Sequence, residues 1–149
     1  MIRLRMKKDD KQIRQLIDSE LVPLSHMNPS LIQKTRKELP RRLDQGITFV
    51  AYETNPSLLH GFIHLLLYRH IMVIDMLAVT SGAQGKGYGK SLLSHAESLG
   101  RTRGYAFSRL MVDDDNIRGI HFYRKQGYFI LHHDSWNRCY EMSKMLFPY

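Results

Sequence analysis

Residues 71–96, IMVIDMLAVTSGAQGKGYGKSLLSHA, constrain the chain more than any other stretch. An apolar run rich in β-formers leads into a glycine-rich turn, and an apolar pattern of helical period follows. The turn places Gly85, Gly87 and Gly89 at every second position, with Gln84, Lys86, Tyr88 and Lys90 between and around them. Glycine tolerates positive φ and lets backbone N–H groups approach a ligand, while the start of the following helix favours anions. The side chains of Lys86 and Lys90 add positive charge. This is the chemistry of a phosphate or pyrophosphate site.

Spacing excludes two familiar nucleotide-binding turns. A P-loop requires G-x-x-x-x-G-K-[ST]. Gly89-Lys90-Ser91 supplies its end, but its first glycine would fall on Gln84. A dinucleotide fingerprint, G-x-G-x-x-G, would need glycine where Lys90 stands. What remains between strand and helix is Q-x-x-G-x-G, formed by Gln84, Gly87 and Gly89.

A chain of 149 residues is long enough for one domain with a sizeable core, here taken as residues 1–149. Hydrophobic content of 43% and charged content of 24% suit an ordinary soluble protein. The single Cys139 cannot form an internal disulfide, which fits a reducing compartment, and reads as a packing residue. The N-terminus MIRLRMKKDDKQ has no apolar leader core, and residues 58–79 are interrupted by His60, His64, Arg69, His70 and Asp75, too polar to span a membrane. A cytoplasmic location is expected. The net charge of +8 raises the question of nucleic acid, but the cations are scattered and no recognition motif accompanies them. A solvated basic surface is the favoured reading, part of it attracting an anionic ligand.

Read in order, residues 2–6 predict a strand and residues 9–22 a helix, with Asp9 or Asp10 as N-cap and Pro23 as stop. Asn28-Pro29-Ser30 opens a second helix reaching residue 44, broken or kinked at Pro40. Residues 47–53, 59–68 and 71–79 form consecutive strands without intervening helices, an antiparallel meander. A helix over 87–103, a strand over 105–112, a short helix over 117–126 and a hairpin of 128–133 with 138–146 complete the chain. The expected fold is mixed α+β: a mostly antiparallel sheet flanked by helices on both faces, in the order β-α-α-β-β-β-α-β-α-β-β.

The second informative segment is Asn116-Ile117-Arg118-Gly119-Ile120-His121-Phe122-Tyr123-Arg124-Lys125-Gln126-Gly127-Tyr128. Physically, Asn116 caps a helix and Gly127 takes the C′ position. Together with Gln84, Gly87 and Gly89, this segment resembles the GNAT superfamily of N-acetyltransferases, which commonly shows N-x-x-A-x-x-F-Y-x-x-x-G-[FY] here. Gly119 stands in place of the alanine. Thr80-Ser81-Gly82-Ala83 stands where many relatives carry proline and an aromatic residue. The resemblance extends to the element order of the whole chain.

That resemblance implies an acetyl-CoA-dependent N-acetyltransferase acting on a primary amine; direct attack in a ternary complex is expected because no nucleophile motif suggests an acyl-enzyme, and no metal is expected. It implies that backbone groups of Leu77, Ala78 and Val79 bind the pantetheine arm. It assigns the pyrophosphate to the backbone of Gln84, Gly85, Lys86, Gly87, Tyr88, Gly89 and Lys90. Asn116 would contact the CoA arm, and the Tyr123 hydroxyl would act as general acid at the sulfur. The base comes from a register argument. If Arg69-His70 centres a symmetric hairpin, His64 lies opposite Asp75, with Cβ atoms roughly 5 Å apart. Asp75, His64 or both would then assist deprotonation.

Other histidines offer no metal spacing, since His60 and His64 would sit about 13 Å apart along a strand and His132 and His133 point to opposite faces. The acceptor, a small molecule or protein amine, is expected near residues 22–46 and 133–138, and the basic 34–42 segment favours acidic character in it. A non-catalytic CoA-binding or sensing module and a basic RNA-binding protein are the alternatives. The C-terminal strand edges could support a homodimer.

Overall fold

The computed structural model describes residues 1–147. Its strands are β1 (Ile2–Leu4), β2 (Ile47–Ala51), β3 (Gly61–Tyr68), β4 (Ile71–Val79), β5 (Phe107–Asp113), β6 (Phe129–Asp134) and β7 (Cys139–Met145). They form one sheet in the order β1-β2-β3-β4-β5-β7-β6, in which only β4 and β5 run parallel. The helices are α1 (Asp10–Leu16), α2 (Pro29–Asp44), α3 (Tyr88–Thr102) and α4 (Ile117–Lys125). The mixed α+β architecture and the element order agree with the sequence reading.

Two apolar layers hold the helices to the sheet. Leu92, Leu93 and Ala96 of α3 bury against Phe49, Ile63, Leu65, Met72 and Ile74, with Phe122 and Tyr123 of α4 packed on the same layer. On the opposite face Ile13 and Leu16 of α1 and Leu39 and Leu43 of α2 bury against Val50, Phe62, Met76 and Ala78. The alternation along β2 and β3 follows from the period of two. In β4 it reverses: Met72 and Ile74 face α3, whereas Met76 and Ala78 face α1 and α2.

A β-bulge causes the reversal and corrects the expected register. Tyr68 does pair with Ile71, but His64 pairs with Met76 and Leu65 with Ile74, leaving Asp75 as an extra residue without a direct partner. A bulge inserts one residue into one strand and re-aims the side chains beyond it. A symmetric count from the turn cannot register that insertion.

The first helical region also departs from expectation. Instead of one helix over 9–22, α1 gives way to a π-helical turn, Ile17–Leu21, and a 3₁₀ turn, Val22–Leu24. Asp9 does not cap α1 with its side chain; its carboxylate accepts the Met6 N–H and pairs with both terminal nitrogens of Arg3. Asn28 caps α2 through the Leu31 N–H at 2.9 Å, as its sequence suggested. Pro40, however, does not end α2. It is exposed, and buried Leu39 and Leu43 anchor the helix on either side of the missing N–H. Among the described residues no helix is long and apolar enough to cross a membrane.

Candidate active site

The site begins where parallel pairing stops. β4 and β5 are paired from Ile71 with Phe107 to Ile74 with Leu110. Beyond that point Asp75–Val79 and Met111–Asp113 part, and their facing backbone groups open a wedge in the middle of the sheet. Leu77, Ala78 and Val79, the residues expected to offer backbone bonds, form one wall of it.

At the wedge's end β4 runs through a 3₁₀ turn, Ser81–Ala83, into the glycine turn. Gly85 and Gly87 have φ of 81° and 88°. Nothing lies within 4 Å of a Cβ built on either, so backbone conformation rather than crowding requires glycine there. Gly89 lies inside α3, and its added Cβ would meet Phe122 at 3.5 Å and Val79 at 3.8 Å. The two sequence segments therefore converge in space. The Ser91 N–H bonds the Gly87 carbonyl at 3.0 Å, leaving the N–H groups of Tyr88, Gly89 and Lys90 at the helix start without intrahelical acceptors. Gln84 closes the turn by donating to the Val79 carbonyl at 3.1 Å and to Glu20 at 3.2 Å. A groove of about 610 Å³ continues from Lys86, Gly87 and Lys90 along Ser91, Ser94, His95 and Ser98 of α3. Sequence reasoning missed the last four. Their spacing marks one exposed helix face, but nothing in composition distinguished that face from ordinary solvent exposure.

α4 lies beside the glycine turn, with Phe122 next to Gly89. Asn116 caps it by accepting the Gly119 N–H at 3.0 Å, and its amide nitrogen has no hydrogen-bond partner among the described residues. A Cβ at residue 119 would stand 2.6 Å from that nitrogen, so glycine lets the amide fold tightly over the helix start. Tyr123 packs edge-on against Phe122 and Tyr128. Burial pushes its hydroxyl above the usual phenol range and keeps it protonated. Behind it, the Tyr128 hydroxyl donates to buried Glu97, which also accepts from Lys144.

On the α1 and α2 side, Asp75 is 12% exposed and receives two bonds from Arg42, at 2.6 and 2.8 Å. His64 has no exposed surface. Its Nδ1 lies 2.7 Å from the Thr48 hydroxyl, and its Nε2, 3.6 Å from Asp75, makes no hydrogen bond. Burial pushes the ring's pKa down, outweighing the upward pull of Asp75. The bulge has thus brought Asp75 and His64 close, although they are not cross-strand partners. Arg42, which orders the carboxylate, was not singled out by the sequence reading.

The wedge's rim carries a second set absent from the sequence reading. His26 Nε2 lies 3.9, 3.7 and 3.6 Å from carboxylate oxygens of Asp113, Asp114 and Asp115, and His133 lies 2.9 Å from Asp114. His26, Asp114 and Asp115 could place ligand atoms within 4.8 Å of one another, a grouping that histidine spacing along the chain does not reveal.

With this geometry in place, comparison with known proteins gives a consistent result. The model of the acetyltransferase (GNAT) family matches residues 12–128. A streptothricin acetyltransferase of Streptomyces lavendulae is 34% identical over 83 residues, covering 54% of this chain and 43% of that protein. The match spans less than half the length of this curated relative. Among solved structures, Ard1 from Thermoplasma volcanium is 25% identical with a TM-score of 0.73, covering 97% of this chain and 96% of that one. PaiA N-acetyltransferase from Thermoplasma acidophilum, solved with coenzyme A, has a TM-score of 0.78 at 21% identity, covering 97% and 99%.

Proposed function

The chain belongs to the acetyltransferase (GNAT) family, and from that premise we propose that it is an acetyl-CoA-dependent N-acetyltransferase acting on a primary amine. The observation that carries this reading is the convergence of the wedge, the glycine turn and α4 around Gly89, Val79 and Phe122. The site fits an acetyl-CoA cosubstrate in its donor groups. The orphan N–H groups at the start of α3 and the side chains of Lys86 and Lys90 hold the pyrophosphate. Leu77–Val79 offers backbone bonds to the pantetheine arm, the Asn116 amide nitrogen donates to it, and the groove along Ser91, Ser94, His95 and Ser98 takes the remaining nucleotide.

In the transfer, direct attack forms the new C–N bond as the thioester C–S bond breaks. The Tyr123 hydroxyl gives its proton to the departing sulfur. Asp75, held by Arg42, receives the amine proton through water at the first unpaired position of β4. His64 has no exposed surface and acts through Asp75 as a positioning residue. Asp113, Asp114 and Asp115 border the acceptor's approach and favour an amine that arrives as an ammonium. The basic 34–42 segment carries less weight for the acceptor than the sequence suggested. Arg42 turns inward to Asp75, while Lys34 and Lys37 line a separate groove with Arg14.

The test is calorimetric titration with acetyl-CoA, using CoA and ATP as controls, followed by an amine screen read by thiol release. Streptothricin and small diamines are the first acceptors to include, beside N-terminal peptides. Micromolar binding and amine-dependent thiol release are expected. Preference for ATP, or donor binding without turnover on any amine, would overturn the catalytic reading.

A further inference from the structure

The groove between α1 and α2 has no part in the proposed reaction. It measures about 520 Å³ and is lined by Arg14, Gln33, Lys34, Arg36 and Lys37. Four of its five lining side chains are cationic, and none is apolar or aromatic. The buried stripe of α2, Leu39 and Leu43, faces the sheet, so the groove opens on the solvent side.

Its charge is left over after local ion pairing. Apart from Glu38, the carboxylates of this region are already committed: Asp9 to Arg3, Asp10 and Asp44 to Arg5, Asp18 to Arg36, Glu20 to the Gln84 amide and Asp75 to Arg42. Arg14, Lys34 and Lys37 have no ion-pair partner among the described residues. Glu38, the exposed carboxylate beside them on α2, does not line the groove. An uncompensated cluster of cations is held at a cost in mutual repulsion that an anionic partner relieves.

We propose that this groove docks an acidic, Asp/Glu-rich segment of a partner protein. Two observations favour carboxylates over nucleic acid. Arg36, which lines the groove, already holds one, with its Nε 3.0 Å from Asp18, an instance of the same recognition chemistry. The lining also offers no aromatic platform, on which single-stranded nucleic acid depends for base stacking. Spacing fits as well. Lys34 and Lys37 of the lining fall three residues apart on α2, a rise of about 4.5 Å. An extended peptide presents same-face side chains about 7 Å apart, within reach of flexible lysines. Gln33 supplies an amide able to bond the peptide backbone. The acidic segment docks through side-chain charge, on a surface distinct from the glycine turn.

Fluorescence anisotropy of the full chain tests this, using labelled poly-glutamate with poly-glutamine and single-stranded poly-uridine of equal length as comparators. Poly-glutamate is expected to bind, weakening with salt. Lys34→Glu with Lys37→Glu should reduce its affinity about tenfold or more, while Arg103→Glu with Lys125→Glu, an equal change in net charge elsewhere, changes it less than about twofold. Circular dichroism reports the fold of each variant, and Arg14→Glu alone serves if the first double variant does not fold. Binding no tighter than poly-glutamine, equal losses in both double variants, or tighter binding of poly-uridine would each overturn the proposal.

Discussion

The two faces of the sheet are built by different means. On the α3 and α4 face the proposed donor site is assembled from backbone: positive φ at Gly85 and Gly87, unpaired N–H groups at a helix start, and a parted strand pair. On the α1 and α2 face the site is assembled from side chains that are remote in sequence. Arg42 reaches Asp75 33 residues away, Arg5 reaches Asp44 39 away, and Glu20 meets Gln84 64 away. The difference teaches where each face is vulnerable. A backbone-built site yields to substitutions that change φ or fill space. A charge-built one yields to neutralisation at constant shape.

The sharpest break on the donor face removes a single oxygen. Tyr123→Phe keeps the ring packing and should lower kcat about 100-fold or more with acetyl-CoA affinity within about twofold. Rapid-mixing kinetics beside calorimetry separates the two quantities, and an unchanged kcat would relieve Tyr123 of its role. Next in size, Gly87→Val forces a β-branched residue to φ 88°. A strain of about 1–2 kcal/mol there should weaken acetyl-CoA binding about tenfold. Gly89→Ala should do less, because its Cβ would meet Phe122 at an ordinary 3.5 Å.

The opposite face is probed by charge. Arg42→Ala leaves the Asp75 carboxylate, 12% exposed, without its partner, and should destabilise by about 1–2 kcal/mol. That is below the cost of breaking a fully buried pair, because Arg42 is itself 38% exposed and water screens the exchange. Adding Asp75→Asn should recover part of the loss in urea melts. If it recovers none, the pair is not coupled.

The smallest expected effect is a pH dependence. Burial lowers the His64 pKa below its ordinary 6.5, so the unfolded chain binds a proton more readily than the folded one. The folded state therefore loses stability as pH falls below about 6.5, and the loss ends once pH passes below the lowered folded value. Melting temperatures from pH 7.5 downward should show this limb, and His64→Gln should flatten it. A steeper limb in the variant would reverse the assignment.

Legibility in the sequence follows the same division. Asn28 and Asn116 announced two helix starts because capping is settled within three residues. The glycine turn announced its own backbone conformation because positive φ is a local demand. The relation of His64 to Asp75 was misread because a bulge is settled by how both strands meet their layers of side chains, not by the turn that joins them. Likewise the π-helical turn at Ile17–Leu21 and the persistence of α2 through Pro40 reflect packing that outweighs local preference.

By itself, then, the sequence determined the order of elements, the strand–turn–helix at residues 71–96 and the capped helix carrying Tyr123, since each is fixed by periodicity, capping and φ over a few neighbours. Only the tertiary structure decided that β4 and β5 part after Ile74, that Arg42 claims Asp75, that His26 meets Asp113–Asp115, and that Arg14 joins Lys34 and Lys37 in one groove. Those arrangements depend on which distant side chains share a face, and charge at long separation along a chain carries no local signature.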